Sequence, residues 1–148
     1  MKVMIATSDG GHWVQMRRIL PAFAGFELVF VGTEPELDAD LGGARYHRVE
    51  NVSRANAHRL PRLLWQLARA VRQERPDAIV TTGAGPGLVA LVLGRLLVGS
   101  RTIWIDSVAN TERMSRSGRL AGHVADAGLV QWEHLARPGG PHYWGAVI

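Results

Sequence analysis

The sequence lacks cysteine and contains no long apolar run. Among its 148 residues there is no cysteine, which excludes a disulfide scaffold, an iron–sulfur site and a thiol nucleophile. No apolar run reaches the ~18 residues that a membrane span needs, and the first six residues are too few for a signal-peptide core. We therefore expect a cytoplasmic protein. The hydrophobic fraction of 47% excludes wholesale disorder, and the length predicts one domain over residues 1–148.

The charges of the chain are unevenly distributed. The formal net charge is +4, and Lys2 is the only lysine, so the positive charge comes almost entirely from arginine. Residues 44–75 hold eight arginines against Glu50 and Glu74. This segment predicts a basic surface whose partner is anionic, such as phospholipid, a phosphorylated ligand or nucleic acid.

Short apolar runs alternate with longer amphipathic segments along the chain. The pattern predicts strands at 2–6, 27–32, 45–49, 78–81, 102–106 and 128–131, with helices at 12–20, 56–75, 86–98 and 113–122. Alternation at this spacing indicates βαβ units, and therefore an α/β, Rossmann-like parallel sheet with helices on both faces. Such sheets bind ligands at the carboxyl ends of their strands.

The first candidate site follows the first strand. Ser8, Gly10 and Gly11 precede a predicted helix whose free N–H groups suit an anion, and we predict phosphate contacts at these three residues. His12 is a candidate catalytic or phosphate-contacting residue. The dinucleotide fingerprint G-x-G-x-x-G is absent, which disfavours NAD. The alternative is a tight turn with a helix cap.

A second glycine-rich segment lies between the fourth predicted strand and the next helix. Gly83, Ala84, Gly85 and Gly87 are predicted phosphate-binding positions, and Pro86 suits the start of a helix. The segment lacks the Gly-Lys-Ser/Thr of a P-loop. The alternative is that these glycines allow the helix to pack closely on the strand. Two such loops at one sheet edge favour a ligand that carries phosphates.

A carboxylate ends the fifth predicted strand. Asp106 is placed to act as a base or to bind a hydroxyl, and a turn-capping aspartate is an equally good interpretation. Arg113 is a candidate phosphate ligand, with a solvated arginine as the alternative. We expect no metal, because the histidines lack ligand spacing and Asp38-Ala39-Asp40 is better explained as a solvated loop.

The helix within the basic segment predicts a membrane surface. Its core-facing stripe should contain Leu60, Leu63, Leu64, Leu67 and Val71. Opposite this stripe, the face predicted to meet anionic lipid contains Arg62, Trp65, Arg69 and Arg72. Cation–π packing within the protein and a protein–protein contact are alternatives, whereas no motif supports nucleic-acid binding.

The ordered set of motifs resembles a known family. It comprises Ser8-Asp9-Gly10-Gly11-His12, Arg75-Pro76-Asp77, Thr82-Gly83-Ala84-Gly85-Pro86-Gly87, Ile105-Asp106-Ser107 and Val130-Gln131-Trp132-Glu133. It is similar to bacterial polysaccharide-biosynthesis glycosyltransferase subunits related to the asparagine-linked-glycosylation membrane subunit, which is half of a split N-acetylglucosaminyltransferase. Members are similar to the N-terminal half of the glycosyltransferase B fold.

The resemblance implies a subunit of an inverting glycosyltransferase. This half would bind a lipid-diphosphate-linked sugar acceptor, and a partner chain would hold most of the nucleotide-sugar donor, with no metal or other cofactor. His12 would be the base or a contact to the acceptor diphosphate, and Asp106 stands where relatives often have glutamate. The N-terminus predicts no membrane helix, so we expect peripheral contact with the inner face of the cell membrane.

Two further interpretations of function remain. The chain could be a non-catalytic subunit that recruits its partner to the membrane. It could also be a stand-alone enzyme that binds a phosphosugar or nucleotide-sugar, such as an epimerase. The first predicts that His12 is dispensable, and the second predicts tight nucleotide-sugar binding by this chain alone.

Overall fold

A single parallel sheet of seven strands organises the protein. The computed structural model describes residues 1–34 and 41–147, so the acidic segment with Asp38 and Asp40 lies outside the described residues. The strands are β1 (Lys2–Ala6), β2 (Glu27–Gly32), β3 (Arg45–Arg48), β4 (Ala78–Thr81), β5 (Arg101–Ile105), β6 (Ala127–Val130) and β7 (His142–Tyr143). All pair in parallel, in the order β3-β2-β1-β4-β5-β6-β7.

Four α-helices lie between the strands in the described part of the chain. They are α1 (Gly11–Ile19), α2 (Leu60–Glu74), α3 (Ala84–Val98) and α4 (Arg116–Ala121). The strand order reverses between β1 and β4, because the chain first runs outward to β3 and then returns to build the other half of the sheet. The predicted Rossmann-like α/β class is therefore confirmed.

The core lies on both faces of the sheet. On one face α2 and α3 pack on β1, β2, β4 and β5 through fully buried side chains that include Leu63, Leu67 and Leu91. On the other face Met16 of α1 and the edge of Trp13 pack on Phe30 of β2, with the Trp13 and Phe30 rings 6.1 Å apart and nearly perpendicular. The strand runs are apolar on both sides, as buried parallel strands require.

Several predicted boundaries differ from the structure for identifiable reasons. The helix predicted at 56–75 is a 3-10 segment over Arg54–Arg59 followed by α2, because Pro61 has no N–H to donate and suits only the first turn of a helix. The predicted last strand at 128–131 is not the last. β7 adds an edge strand of two residues within a Pro/Gly-rich tail, where length and composition give little strand signal.

The predicted core stripe of α2 was wrong at two positions. Leu63, Leu67 and Val71 are buried, but Leu60 and Leu64 are 41% and 39% exposed. The buried residues of α2 are Leu63, Leu67, Ala70, Val71 and Glu74, so the buried arc begins after Leu60 and leaves Leu64 at its edge. The two exposed leucines thus join the outer face of the helix.

A buried carboxylate ties the last turn of α2 to the opposite, amino-end edge of the sheet. Glu74 is 3% exposed and pairs with Lys2 at 3.4 Å, Arg45 at 3.1 Å and His47 at 2.8 Å. Burial raises the pKa of Glu74, but the hydrogen bond from His47 and the Arg45 and Lys2 charges outweigh it and leave this pKa below its ordinary value. The cluster is a structural anchor far from the carboxyl ends of the strands.

Candidate functional site

The two glycine turns meet at the point where the strand order reverses. β1 and β4 are parallel neighbours, so the turns after them leave the same edge of the sheet. Gly10 has φ +64° and ψ −134°, and Gly83 has φ +133°, backbone conformations that favour glycine. From there α1 and α3 run over opposite faces. This creates the crevice in which open α/β sheets hold their ligands.

His12 bridges the two turns. Its Nδ1 lies 2.9 Å from the carbonyl oxygen of Thr82, and the Thr82 hydroxyl donates to the carbonyl of His12 at 2.9 Å. A carbonyl only accepts, so Nδ1 carries the hydrogen and Nε2 of the neutral ring keeps a free lone pair. A Cβ on Gly83 would lie 2.6 Å from Cε1 of His12. The imidazole therefore stacks directly on this glycine, with Nε2 available as a base.

A cavity of about 300 Å³ brings together four of the predicted site residues. His12, Gly83, Ala84 and Asp106 line it, along with Ser107, Ala109, Asn110, Ser115 and Ser117. Ala84 has φ +67°, a left-handed conformation that costs a non-glycine residue about 1 kcal/mol. Strain of this kind concentrates at ligand sites. The cavity thus joins loops from three consecutive strands of the sheet: β1, β4 and β5.

The remaining predicted phosphate-binding residues do not line this cavity. Gly10, Gly11 and Gly85 form the turns around it, Ser8 is 8% exposed, and Arg113 is solvent-exposed on the β5–α4 loop. The contact predicted at Gly87 also stays a prediction, beside a packing role that the structure shows. A Cβ there would lie 2.1 Å from the hydroxyl of Thr81, so Gly87 serves the close packing of α3 on β4. The other contacts stay predictions.

Asp106 organises the β5–α4 loop. It is 2% exposed, and its Oδ1 accepts from Trp104 Nε1 at 3.1 Å and from the Ser115 hydroxyl at 2.6 Å. Its Oδ2 accepts from the Asn110 amide and from the backbone N–H of Ser115, both at 3.0 Å. With both oxygens so engaged, the geometry favours a positioning role, and the predicted base at Asp106 stays untested.

A pair of buried glutamines supports the same loop and was missed by sequence reasoning. Gln15 Oε1 accepts from the Val108 N–H at 2.9 Å and from Gln131 Nε2 at 2.7 Å. Gln131 also donates to the carbonyl of Asp106 at 3.0 Å and accepts from the Val147 N–H at 2.9 Å. Buried amides have to find such partners. Gln131 belongs to a motif quoted above, but Gln15 carries no signal in the sequence.

The outer face of α2 is exposed as predicted. Arg62 and Trp65 are 70% and 61% exposed, and Arg69 and Arg72 are exposed on the same face. The Arg69 guanidinium lies 5.5 Å from the centre of the Trp65 ring, which is a cation–π contact. The intramolecular contact holds Trp65 in place without covering it. Across the described residues, no helix combines the length and the apolarity of a membrane span.

Comparisons with known proteins identify the fold class of the chain and the protein family to which it belongs. The fold is Rossmann-like, of the kind found in each half of the glycosyltransferase B fold. It is similar to the crystal structure of Acinetobacter baumannii MurG, with a TM-score of 0.71 at 16% identity over 99% of this chain and 44% of that one. It is also similar to the UDP-GlcNAc 2-epimerase of Methanocaldococcus jannaschii, with a TM-score of 0.67 at 14% identity over 86% and 38%.

Residues 44–147 match the family model "Oligosaccharide biosynthesis protein Alg14 like", and the chain belongs to this family. Among curated proteins, it is 33% identical to the UDP-N-acetylglucosamine transferase subunit ALG14 of Eremothecium gossypii, over 80% of this chain and 52% of the relative. It is 28% identical to the UDP-N-acetylglucosamine–N-acetylmuramyl-(pentapeptide) pyrophosphoryl-undecaprenol N-acetylglucosamine transferase of Nitrosospira multiformis, over 86% and 39%. The chain thus spans about half or less of these relatives.

Proposed function

We propose that this chain is the acceptor-binding subunit of a split, inverting glycosyltransferase in oligosaccharide or polysaccharide biosynthesis. Family membership and the two UDP-N-acetylglucosamine transferase relatives support this proposal. The observation that carries it is the bond from His12 to Thr82, which joins two glycine turns over one cavity. We infer that a partner chain supplies the nucleotide-sugar site, because the relative from Eremothecium gossypii is named as a subunit of a transferase.

The mechanism follows from the tautomer of His12. Nε2 removes the proton of the acceptor hydroxyl, and the hydroxyl oxygen attacks the anomeric carbon of the donor sugar. The bond from that carbon to the diphosphate oxygen breaks, and the nucleoside diphosphate leaves with the electron pair. One displacement inverts the anomeric centre. The donor is a substrate held mainly by the partner, and the proposal includes no metal or other cofactor.

The glycine turns and their helix starts position the acceptor diphosphate in this proposal. The first N–H groups of α1 and α3 have no partner within their helices, and the helix dipoles favour an anion there. Gly10, Gly11 and Gly85 let the diphosphate approach the backbone, and Arg113 adds a positive charge from the neighbouring loop. Asp106 holds that loop in place.

The outer face of α2 would bring the subunit to its lipid-linked acceptor as a peripheral protein at the cytoplasmic face of the membrane. The exposed Leu60 and Leu64 add apolar surface beside Trp65, and Arg62 and Arg69 would face anionic headgroups. Aromatic and aliphatic side chains flanked by arginine suit the headgroup layer. Leu96 of α3, which lies in the same helix layer, is 75% exposed.

The decisive variant for the catalytic proposal is His12→Asn. The asparagine amide can still donate to the carbonyl of Thr82 but has no basic nitrogen, so the turns stay joined while the base is lost. With the chain paired with its partner half, transfer from UDP-N-acetylglucosamine to the lipid-linked acceptor should fall by about 100-fold or more. His58→Asn, at an exposed histidine outside the cavity, is the matched control.

Undiminished transfer by His12→Asn would show instead that the chain is a scaffold for its partner. The stand-alone alternative is tested separately by calorimetry of the isolated chain. We expect no tight binding of UDP-N-acetylglucosamine, and a micromolar complex with turnover by this chain alone would favour the epimerase-like interpretation.

Membrane docking is tested by flotation with vesicles of anionic and of neutral phospholipid. We expect binding to anionic vesicles that weakens with salt, and a loss of about tenfold for Trp65→Ala, since a large aromatic surface is withdrawn from the lipid. Trp144→Ala is the matched control, because Trp144 is 72% exposed at the other end of the sheet. Equal losses for the two tryptophans would remove α2 from the docking surface.

A further inference from the structure

A second and larger cavity opens at the carboxyl ends of β2 and β3. Its volume is about 560 Å³, within the range of about 300 to 1,000 Å³ that ligand pockets occupy. It shares no lining residue with the cavity around His12, and of the proposed membrane-facing residues only Arg62 lies at its wall. The residues that line it are almost all polar, and they include Thr33, Arg48, Glu50, Asn51 and Gln66.

Thr33 gives this cavity a buried polar group without a protein partner. The residue directly follows β2 and is 4% exposed. Within residues 1–34 and 41–147, its hydroxyl is the one buried side-chain oxygen or nitrogen that forms no hydrogen bond. A buried hydroxyl left unpaired costs stability. A hydrogen bond between this hydroxyl and a bound molecule would offset the cost.

Two of the three arginines that line this cavity form ion pairs with Glu50. Glu50 lies between Arg59 and Arg62, each with a nitrogen 3.2 Å from a carboxylate oxygen. Arg48 also lines the cavity, and it forms no ion pair or side-chain hydrogen bond with any residue that the structure describes. Three arginines against Glu34 and Glu50 leave a net positive charge. The cavity therefore suits a ligand with one anionic group.

The amides around Arg48 offer further donors. The carbonyl of the Gln66 side chain accepts the backbone N–H of Glu50 at 2.9 Å, which fixes the amide and leaves its NH₂ group unengaged. The Asn51 side chain is exposed at the rim and has no partner within the described chain. Planar amides of this kind bind hydroxyl groups, whereas guanidinium groups bind carboxylate or phosphate.

We propose that this cavity is a binding site for an acidic sugar residue, that is, a monosaccharide unit carrying a carboxylate or a phosphate. Arg48 binds the anionic group, and Thr33 and Gln66 hydrogen-bond the ring hydroxyls. The proposal goes beyond the transferase function, because it concerns a separate cavity and is tested on the isolated chain. The anionic group is common to uronic acids and sugar phosphates, and separate probes distinguish these two sources.

The experiment is a titration of the isolated chain followed by amide NMR. The probes are glucuronate, glucose 1-phosphate, glucose and inorganic phosphate. We expect saturable shifts at the amides of Asn51, Ser53 and Gln66 with one or both acidic sugars, and much weaker binding of glucose and of inorganic phosphate. Which acidic sugar binds more tightly identifies the source of the charge.

Two variants test the assigned contacts. Arg48→Gln should weaken binding of the acidic sugar about tenfold. The control is Arg101→Gln, at an exposed arginine at the amino end of β5, and it should leave the affinity unchanged. Thr33→Val should weaken binding about threefold or more without lowering thermal stability, because the hydroxyl it removes has no protein partner. If Thr33 were purely structural, Thr33→Val would lower thermal stability and leave the affinity for the acidic sugar unchanged.

Three results would overturn the proposal. These are no saturable shift at the three amides with any probe, wild-type affinity in Arg48→Gln and Thr33→Val, and equal affinity for inorganic phosphate and the acidic sugars. None of them bears on transfer by the His12 site, and loss of the His12 mechanism would leave this cavity and its probes unaffected.

Discussion

Replacement of Gly118 by alanine should dismantle the loop that forms one wall of the candidate site. Gly118 lies in α4 directly over the Asp106 carboxylate. A Cβ there would lie 2.5 Å from Asp106 Oδ1 and 2.9 Å from both Ser115 Oγ and Trp104 Nε1. Real Cβ atoms do not approach heavy atoms so closely, so either α4 moves outward or the hydrogen bonds of Asp106 break.

The size of the effect follows from the groups that lose their bonds. Trp104 is 1% exposed and Asp106 is 2% exposed, and each buried polar group left unpaired costs about 1–3 kcal/mol. Alanine recovers about 1 kcal/mol over glycine within a helix. We therefore expect the free energy of unfolding to fall by about 1–5 kcal/mol for Gly118→Ala.

Urea unfolding followed by circular dichroism measures this change directly. Gly85→Ala is the matched control, since Gly85 lies in the first turn of α3 and an added Cβ would meet nothing within 4 Å. The control should be neutral or slightly stabilising. Gly118→Ala with wild-type stability would refute the assignment of Asp106 as the buried centre of this loop.

Two further predictions concern Glu74 and Gly83. The pKa of Glu74 lies below its ordinary value because His47 and Arg45 outweigh burial, so its stabilising contribution is present above the unfolded pKa and is lost as the pH falls through the folded pKa. Glu74→Gln should lower the free energy of unfolding by about 2 kcal/mol near neutral pH. It should also make this free energy fall less steeply at acidic pH, and an unchanged acidic slope would contradict the assignment. Gly83→Ala should displace the His12 ring, since the new Cβ would lie 2.6 Å from Cε1. Transfer by the paired subunits should then fall more than global stability does, and full activity would contradict the assigned geometry.

Much of the fold could be predicted because buried parallel strands leave a local signature. β1, β2 and β4 are short apolar runs, and the structure places them where the sequence predicted. Both glycine turns were also visible, since a turn between strand and helix needs backbone freedom that the sequence displays. β7 gave no such signal because it consists of only two residues and gains its order from pairing with β6.

The finer assignments at the site depended on distant contacts. Leu60 and Leu64 fit an apolar stripe by spacing alone, but the docking of α2 on the sheet and α3 buries Ala70 and Glu74 instead. Gln15 looks like any surface glutamine in an amphipathic helix, and only the approach of Gln131, 116 positions away, buries it. The close approach of Gly87 to Thr81 could likewise not be predicted from the composition of the glycine-rich segment.

The order of strands and helices, the two glycine turns and the basic outer face of α2 were determined by the sequence itself, because each depends on residues that are neighbours in the chain. The tertiary structure alone decided that His12 donates to Thr82, that four donors enclose Asp106, and that the Thr33 hydroxyl has no hydrogen-bond partner among the described residues. His12 and Thr82 lie in turns that only the pairing of β1 with β4 brings together. Three of the four donors to Asp106 reach it only through the folding of the β5–α4 loop.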